Sequence, residues 1–463
     1  MRNKGCTLLL FVLFSFSCYA QKTDLLNSKL DGKWLVKLNS NDIGTVHTVL
    51  EFETDQNSFK AWTRKGADKD ILGFWKSALA RIFTDDFNKG SLIRLTDGTI
   101  AQKEDTLILS GIFRSAVGSY YFNGQIFNGQ LNAELRNSKK ETKGIISGNK
   151  NPQVSYPIDN YPEVVSEALD TTKSRIYNRE VLKTEEWTYF EKIIKNKSKK
   201  FNDDVELVFA FYYYASKLPF SHFNLIKIEE DHIQESQSDK SQNLFLEEKD
   251  SKTALLTIKS FGGTGAEVDS VFSIVIEKGY SDLIVDLRNN SGGTVEAGLT
   301  FASKVMDTTI VGGFFLTQKW FNHNQEIPDR TELELFPVFF EANYDLIIEG
   351  IHTKKGLLLK VEPSNTTFNG NLFIVTNERT ASTCEPIVHG LKTANRATIV
   401  GETTAGAMLN GERFDLKSGF SVFVPTADYY TIDGLRIDQK GVEPNIKLED
   451  EDPLEYIMSQ IIK

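Results

Sequence analysis

Ser382 lies in the stretch NERTASTCEPIVHG, residues 377–390, where its setting suits nucleophilic chemistry. Residues 372–376 before it are apolar or β-branched and predict a short buried strand, and the apolar spacing from Ile387 onward predicts a helix. A serine on such a strand-to-helix turn is lifted out of the sheet edge. The free N–H groups of the helix's first turn can then stabilise negative charge beside it. The alternative is a serine that only caps the helix.

A hydrolytic serine needs a base, a group that orients the base, and N–H donors for the oxyanion. Histidine is the only side chain whose unperturbed pKa suits the base at neutral pH, and the chain has six. His389 lies two helical turns beyond Ser382 and cannot reach its hydroxyl. His222 lies in a short break between a predicted helix and a strand, between aromatic residues that could exclude water. The spacing therefore favours His222 as the base.

Two further motifs bear on the same chemistry. Gly292 and Gly293 follow a predicted core strand, where glycine lets backbone N–H groups approach a ligand closely, although a tight turn would also require glycine. Cys384 is an alternative nucleophile. Its position two residues inside the turn is more typical of a small buried residue.

The N-terminus predicts export. Arg2 and Lys4 precede an apolar run, and Cys18 and Ala20 place small residues before Gln21, so residues 1–20 are typical of a secretory signal peptide. Export to the periplasm or the exterior follows. A lipoprotein acylated at Cys18 is the less favoured alternative, and no later segment is long and apolar enough to span a bilayer.

Charge and cysteine content restrict the partners. Removal of Arg2 and Lys4 leaves a net charge of (53−2)−63 = −12, which argues against nucleic acid or anionic lipid as the main partner. Only Cys384 would remain, so no internal disulfide is expected. The residues imply neither a metal nor an organic cofactor.

The length of 463 residues predicts about three domains after the leader. Alternating apolar and polar residues and two Asn-Gly pairs predict an antiparallel β-barrel or sandwich over 21–151, whose Gly-Lys-Trp opening is similar to that of lipocalin-like barrels. Helical spacing predicts a helical segment over 152–235. Alternating strands and helices predict an α/β core over 236–463.

Four motifs in order resemble a known family. DLRNNSGG, ERTASTCE and IVGETTAG resemble the core of the tail-specific, or C-terminal-processing, serine peptidases, and KGVEPNI is similar to that family's closing motif, with Asn445 in place of the usual Asp. The resemblance covers about 161–448. It implies a ClpP/crotonase-like βαβ core and hydrolysis of peptide bonds in a peptide or protein substrate.

The family has two catalytic arrangements. One uses a lysine at the position that Ala407 occupies here, so the Ser-Lys dyad is absent. The other arrangement uses a Ser-His pair, which matches Ser221 and His222. It occurs in the branch that includes the tricorn core protease and resembles the interphotoreceptor retinoid-binding protein modules. Its carboxylate matches Asp438, where Glu is usual, and Glu443 is a weaker substitute.

The resemblance also bears on whether the chain has a PDZ domain and on the roles of the site residues. A PDZ domain commonly precedes the first core strand, but only 30 residues (253−223) separate Phe223 from Thr253, so none fits. The resemblance implies that Ser382 is the nucleophile and His222 the base. It also implies that Ser221 and Asp438 orient the base and that the amides of Gly292, Gly293 and Thr383 bind the oxyanion. The competing hypothesis is a weak or inactive binding module for an apolar ligand or a peptide. Homo-oligomer formation is left open.

Overall fold

The structure is a computed structural model that describes residues 28–40, 44–73, 76–77, 90–115, 118–138, 140–151, 159–227, 243–339 and 343–461. The predicted signal peptide, residues 1–20, and its alternative acylation site Cys18 lie outside these ranges. Within them, no helix has both the length and the apolar character that crossing a bilayer requires.

Antiparallel strands near the N-terminus close into a barrel. Their bounds are Gly32–Ser40 (β1), Gly44–Asp55 (β2), Ser58–Trp62 (β3), Ile93–Lys103 (β4), Thr106–Ser115 (β5), Gly118–Phe127 (β6), Gln130–Arg136 (β7) and Thr142–Lys150 (β8). Each strand pairs with the next, and β1 pairs with both β2 and β8, which closes the ring. Alternate residues such as Leu131, Ala133 and Leu135 face the interior. Of the two predicted architectures, the barrel is therefore the one observed.

Helices pack against the barrel and share its core. Their bounds are Ala67–Leu72 (α1), Tyr161–Arg175 (α2), Glu185–Ser198 (α3) and Asp204–Ala215 (α4), with a 3-10 turn at Arg179–Lys183. Val165, Trp187 and Phe211 belong to the same buried cluster as the barrel interior. Asp203 caps α4 by accepting a hydrogen bond from the Glu206 N–H.

The remaining elements form the C-terminal part. The strands are Asn224–Lys227 (β9), Leu244–Glu248 (β10), Thr253–Ile258 (β11), Asp282–Asp286 (β12), Ile310–Thr317 (β13), Val338–Phe339 (β14), Gly356–Val361 (β15), Asn371–Thr376 (β16), Thr398–Gly401 (β17), Leu409–Asp415 (β18), Phe420–Thr431 (β19) and Ile446–Lys447 (β20). The helices are Gly265–Lys278 (α5), Val295–Val305 (α6), Gln318–Phe321 (α7), Arg330–Leu333 (α8), Tyr344–Thr353 (α9), Cys384–Thr393 (α10) and Pro453–Tyr456 (α11), with a π-helical turn at Ile457–Ile461.

Six of these strands form the α/β core in the order β10-β11-β12-β16-β17-β20. All neighbours are parallel except the β10–β11 pair at one edge, which confirms the predicted βαβ core. In such sheets, reactive groups gather outside the carboxyl ends of the strands. The Gly-Gly turn after β12 and the Ser382 turn after β16 leave the sheet at neighbouring positions on that edge.

The other sheet contains the barrel strands and continues beyond them. Gly44 of β2 bridges Lys227 of β9, which continues through β19, β13 and β15 to β14. β18 pairs with β19 beside this path. β9 and β18, which lie beside His222, thus belong to one sheet with the barrel, whereas β12 and β16 belong to the six-stranded sheet.

Candidate active site

Ser382 occupies the predicted turn between β16 and α10. β16 ends at Thr376 and α10 begins at Cys384. Ser382 has a φ of 55°, in the left-handed region that residues other than glycine rarely adopt and that is found disproportionately at functional sites. A β-carbon added to Gly292 would lie 2.7 Å from Ser382 Cβ, so the turn after β12 can pass this close only with glycine there.

His222 lies in the connection between α4 and β9, also with a φ of 55°. Its ring packs over Gly411 of β18, where an added β-carbon would lie 3.1 Å from His222 Cδ2. Phe220 and Phe223 on either side are buried. Burial lowers the pKa of His222 below its usual 6.5, although the charge of Asp438 acts in the opposite direction. The imidazole is therefore neutral at neutral pH, as a general base must be.

Hydrogen bonds join His222 to Asp438 through Ser221. Ser221 Oγ lies 2.8 Å from His222 Nδ1 and donates to Asp438 Oδ1 at 2.5 Å. Because the single hydroxyl proton of Ser221 goes to the carboxylate, its oxygen must accept from Nδ1–H. His222 Nε2 is then the nitrogen without a proton, and it can accept one from a nucleophile.

Asp438 is fully buried and accepts further hydrogen bonds. The Ser221 N–H donates at 3.3 Å, the Met408 N–H at 3.1 Å and the Arg436 guanidinium at 3.2 Å. Glu443, the alternative carboxylate, is exposed. Asp438 is therefore the carboxylate that contacts Ser221, even though it is one methylene shorter than the usual Glu.

Glu385 is a site residue that the sequence reasoning missed. It is fully buried and accepts hydrogen bonds from the Ser382 N–H at 3.1 Å, Thr404 Oγ1 at 2.7 Å, the Gly406 N–H at 2.7 Å and the Ala407 N–H at 2.8 Å. Burial raises the pKa of Glu385, and these four donors oppose the increase. The Ser-x-x-Glu spacing, which is typical of a capping box, is the signal that would have indicated it.

The two hydrogen-bond networks meet at adjacent residues. The Ala407 N–H donates to Glu385, which holds the Ser382 amide, and the Met408 N–H donates to Asp438, which holds Ser221. Consecutive Cα atoms are about 3.8 Å apart, so the networks converge on one loop. Among the hydrogen bonds of the described residues, none joins Ser382 Oγ to His222.

Comparison with known proteins identifies the region that carries Ser382. Residues 252–448 match the model of peptidase family S41. These residues form a peptidase family S41 domain. The match includes Ser382, Glu385 and Asp438, whereas Ser221 and His222 precede it.

Relatives of the S41 domain are C-terminal processing peptidases. The chain is 26% identical over 190 residues to the chloroplastic C-terminal processing peptidase of Tetradesmus obliquus, covering 41% of this chain and 33% of that one. It is 24% identical over 209 residues to the carboxy-terminal processing protease CtpA of Bacillus subtilis, covering 45% and 37%. The chain thus spans about a third of the length of these curated relatives. Among solved structures, a lipoprotein from Streptococcus agalactiae is 18% identical with a TM-score of 0.45, covering 66% of this chain and 98% of that one.

The amides of the S41 domain differ in availability for an oxyanion. The Gly292 N–H donates to Asn290 Oδ1 at 2.9 Å and is therefore engaged. The N–H groups of Gly293 and Thr383 have no acceptor within the ranges that the structure describes. Thr383 Oγ1 donates to the Gly293 carbonyl at 3.0 Å, which ties the two turns together. Of the three amides expected to bind an oxyanion, those of Gly293 and Thr383 are therefore the two without an acceptor among the described residues.

Other candidate groups in the S41 domain are less suited to the chemistry. Cys384 is fully buried, and burial raises the pKa of its thiol well above the ordinary value. His389 is buried on α10, where burial lowers its pKa. In the described part of the chain, no group of three or more His, Cys, Asp or Glu side chains is arranged to hold a metal ion.

Proposed function

We propose that this protein is an exported serine endopeptidase that hydrolyses peptide bonds of proteins or peptides. The observation that carries the proposal is the hydrogen-bond chain from Asp438 through Ser221 to His222 Nδ1, because it leaves Nε2 as a proton acceptor. The S41 domain supports the same reaction class.

In the proposed mechanism, Ser382 Oγ attacks the scissile carbonyl carbon while His222 Nε2 takes the hydroxyl proton. The amides of Gly293 and Thr383 donate to the resulting oxyanion. The imidazolium then gives its proton to the leaving amine as the C–N bond breaks, which leaves an acyl-enzyme on Ser382. A water molecule, deprotonated by His222, releases the acid.

The carboxylate acts through Ser221 in this scheme. Asp438 fixes the Ser221 hydroxyl as an acceptor for Nδ1–H, which selects one tautomer of His222 and stabilises the positive charge that forms during the reaction. Ser221 and Asp438 are thus positioning residues. Attack requires Ser382 Oγ to come within hydrogen-bond distance of Nε2, a contact that often tightens only when substrate binds.

Export and the division of the chain belong to the proposal. The basic start, apolar run and small residues of 1–20 support a cleaved leader and a periplasmic or extracellular location. The domain boundaries at 21–151, 152–235 and 236–463 stay a prediction.

The test is covalent labelling by a fluorophosphonate together with hydrolysis of casein and a peptide library. Ser382→Ala should abolish both, whereas Ser273→Ala, a control on the exposed face of α5, should change neither. Labelling that survives Ser382→Ala would refute the assignment. An unaltered protein that hydrolyses nothing but binds an apolar ligand would favour the competing binding function.

A further inference from the structure

One end of the barrel contains a cavity that the proposed reaction does not use. Its volume is about 370 Å³, within the range of small-molecule sites. Strand ends supply most of the wall, among them Leu38, Phe113, Tyr120, Leu135 and Lys143. One face of α4 covers it, with Val205, Val208, Phe209 and Tyr212 at helical spacing. The cavity is therefore an apolar space between a barrel mouth and a helix.

The opposite end of the barrel is filled by aromatic side chains. Trp34, Phe52, Phe59 and Phe122 are fully or almost fully buried and contact one another in sequence, with ring centroids 5.7 to 6.2 Å apart. Along β1, Trp34 and Leu38 are four residues apart, about 13 Å in a strand. The barrel interior is thus filled by aromatic residues at one end, and the cavity lies at the other.

Charge beside the cavity favours an anion. Lys143 is the one charged side chain among the described residues that line the cavity. Its Nζ lies 3.2 Å from Glu141, and Lys259 Nζ lies 3.0 Å from the same carboxylate. Among the described residues, two ammonium groups therefore share one carboxylate, which leaves one positive charge in excess beside the cavity.

We propose that this cavity binds a single-chain amphiphile, a long-chain carboxylate whose tail fills the barrel mouth and whose head group lies at Lys143. The apolar wall matches the tail, the volume matches one chain, and the surplus positive charge matches the carboxylate. This proposal does not depend on the peptidase activity.

The first test measures how affinity depends on chain length, by displacement of a fluorescent fatty acid from the full chain. The protein carries Ser382→Ala, so that loss of catalysis and loss of binding are separate observations. Each buried methylene should strengthen binding by about fourfold until the cavity is full. Carboxylates below their micelle-forming concentrations that fail to displace the probe, or that bind with no dependence on length, would overturn the proposal.

Two pairs of variants locate the ligand. Val208→Trp should fill the cavity and abolish binding, whereas Ile108→Trp, on the outer face of β5, should leave it unchanged. Lys143→Gln should weaken carboxylate binding about two- to fivefold without changing the affinity of the alcohol of equal length, and exposed Lys60→Gln should have no effect. Equal weakening by both members of either pair, or capture of an apolar peptide in place of the carboxylate, would contradict the proposal.

Discussion

Glu385→Gln is the substitution that most directly probes how the nucleophile turn is held. In the structure, Oε1 accepts from Thr404 Oγ1 and the Gly406 N–H, and Oε2 accepts from the Ser382 and Ala407 N–H groups. Glutamine replaces one oxygen by an NH₂ group. In either orientation of the amide, two of the four donors then face another donor.

The expected magnitude follows from that count. A buried donor left without an acceptor costs about 1 to 3 kcal/mol, so two cost roughly 2 to 6 kcal/mol. Burial raises the pKa of Glu385, which means that its charge is itself unfavourable in the fold and that the neutral glutamine recovers part of the loss. A net loss of about 2 to 4 kcal/mol in the free energy of unfolding is expected. Displacement of the Ser382 amide by about 1 Å would lower turnover about 100-fold.

Two measurements check the prediction, urea unfolding followed by intrinsic fluorescence and the rate of fluorophosphonate labelling at Ser382. Glu378→Gln is the matched control, since it changes an exposed glutamate in the same turn. Its unfolding and labelling should equal those of the unaltered protein. The reasoning is wrong if Glu385→Gln also unfolds at the unaltered urea concentration and labels at the unaltered rate.

Three further outcomes are expected. Asp438→Asn should lower kcat about 10- to 100-fold, because it removes the charged acceptor of the Ser221 hydroxyl. Since the charge of Asp438 raises the pKa of His222, the same variant should shift the acid limb of the pH–rate profile to lower pH. In the unaltered protein, kcat/KM should fall with decreasing pH through a midpoint below 6.5, since His222 must be neutral; a midpoint above 6.5 would contradict the lowered pKa. Burial raises the pKa of Asp203 to about 7, so between about pH 4 and 7 the folded state binds more protons than the unfolded state. The free energy of unfolding should therefore fall as the pH rises across that window. Asp203→Asn keeps the helix cap and should make this fall smaller, as measured by urea unfolding at several pH values.

Local patterns predicted the parts of the site that depend on neighbouring residues. The strand-to-helix turn at Ser382 follows from the apolar spacing on both sides of it. The break between helix and strand that carries His222 is likewise visible in the sequence. Neighbouring residues do not indicate which of Asp438 and Glu443 contacts Ser221. That depends on which side chain the loop after β19 buries against Ser221, 217 residues earlier in the chain.

The parts that sequence reasoning missed are contacts between distant segments. The Ser-x-x-Glu spacing indicates Glu385 as a helix-capping residue, but its other hydrogen-bond donors are Thr404, Gly406 and Ala407, 19, 21 and 22 residues later. The engagement of the Gly292 N–H by Asn290 depends on a side-chain orientation that spacing does not predict. The choice between barrel and sandwich likewise depends on the pairing of β1 with β8, which lies outside any local pattern.

The barrel is part of the scaffold that positions the proposed base. The match to the S41 family begins at residue 252, and His222 precedes it, in the connection between α4 and β9. Asp204, the first residue of α4, is buried and accepts from the His47 N–H of the barrel at 2.9 Å and from Lys227 of β9 at 3.0 Å. One carboxylate thus ties the barrel to both elements that flank the connection. Removal of the barrel would take the His47 N–H from this buried carboxylate and leave Lys227 as its ion-pair partner, so we expect the segment that carries His222 to be destabilised.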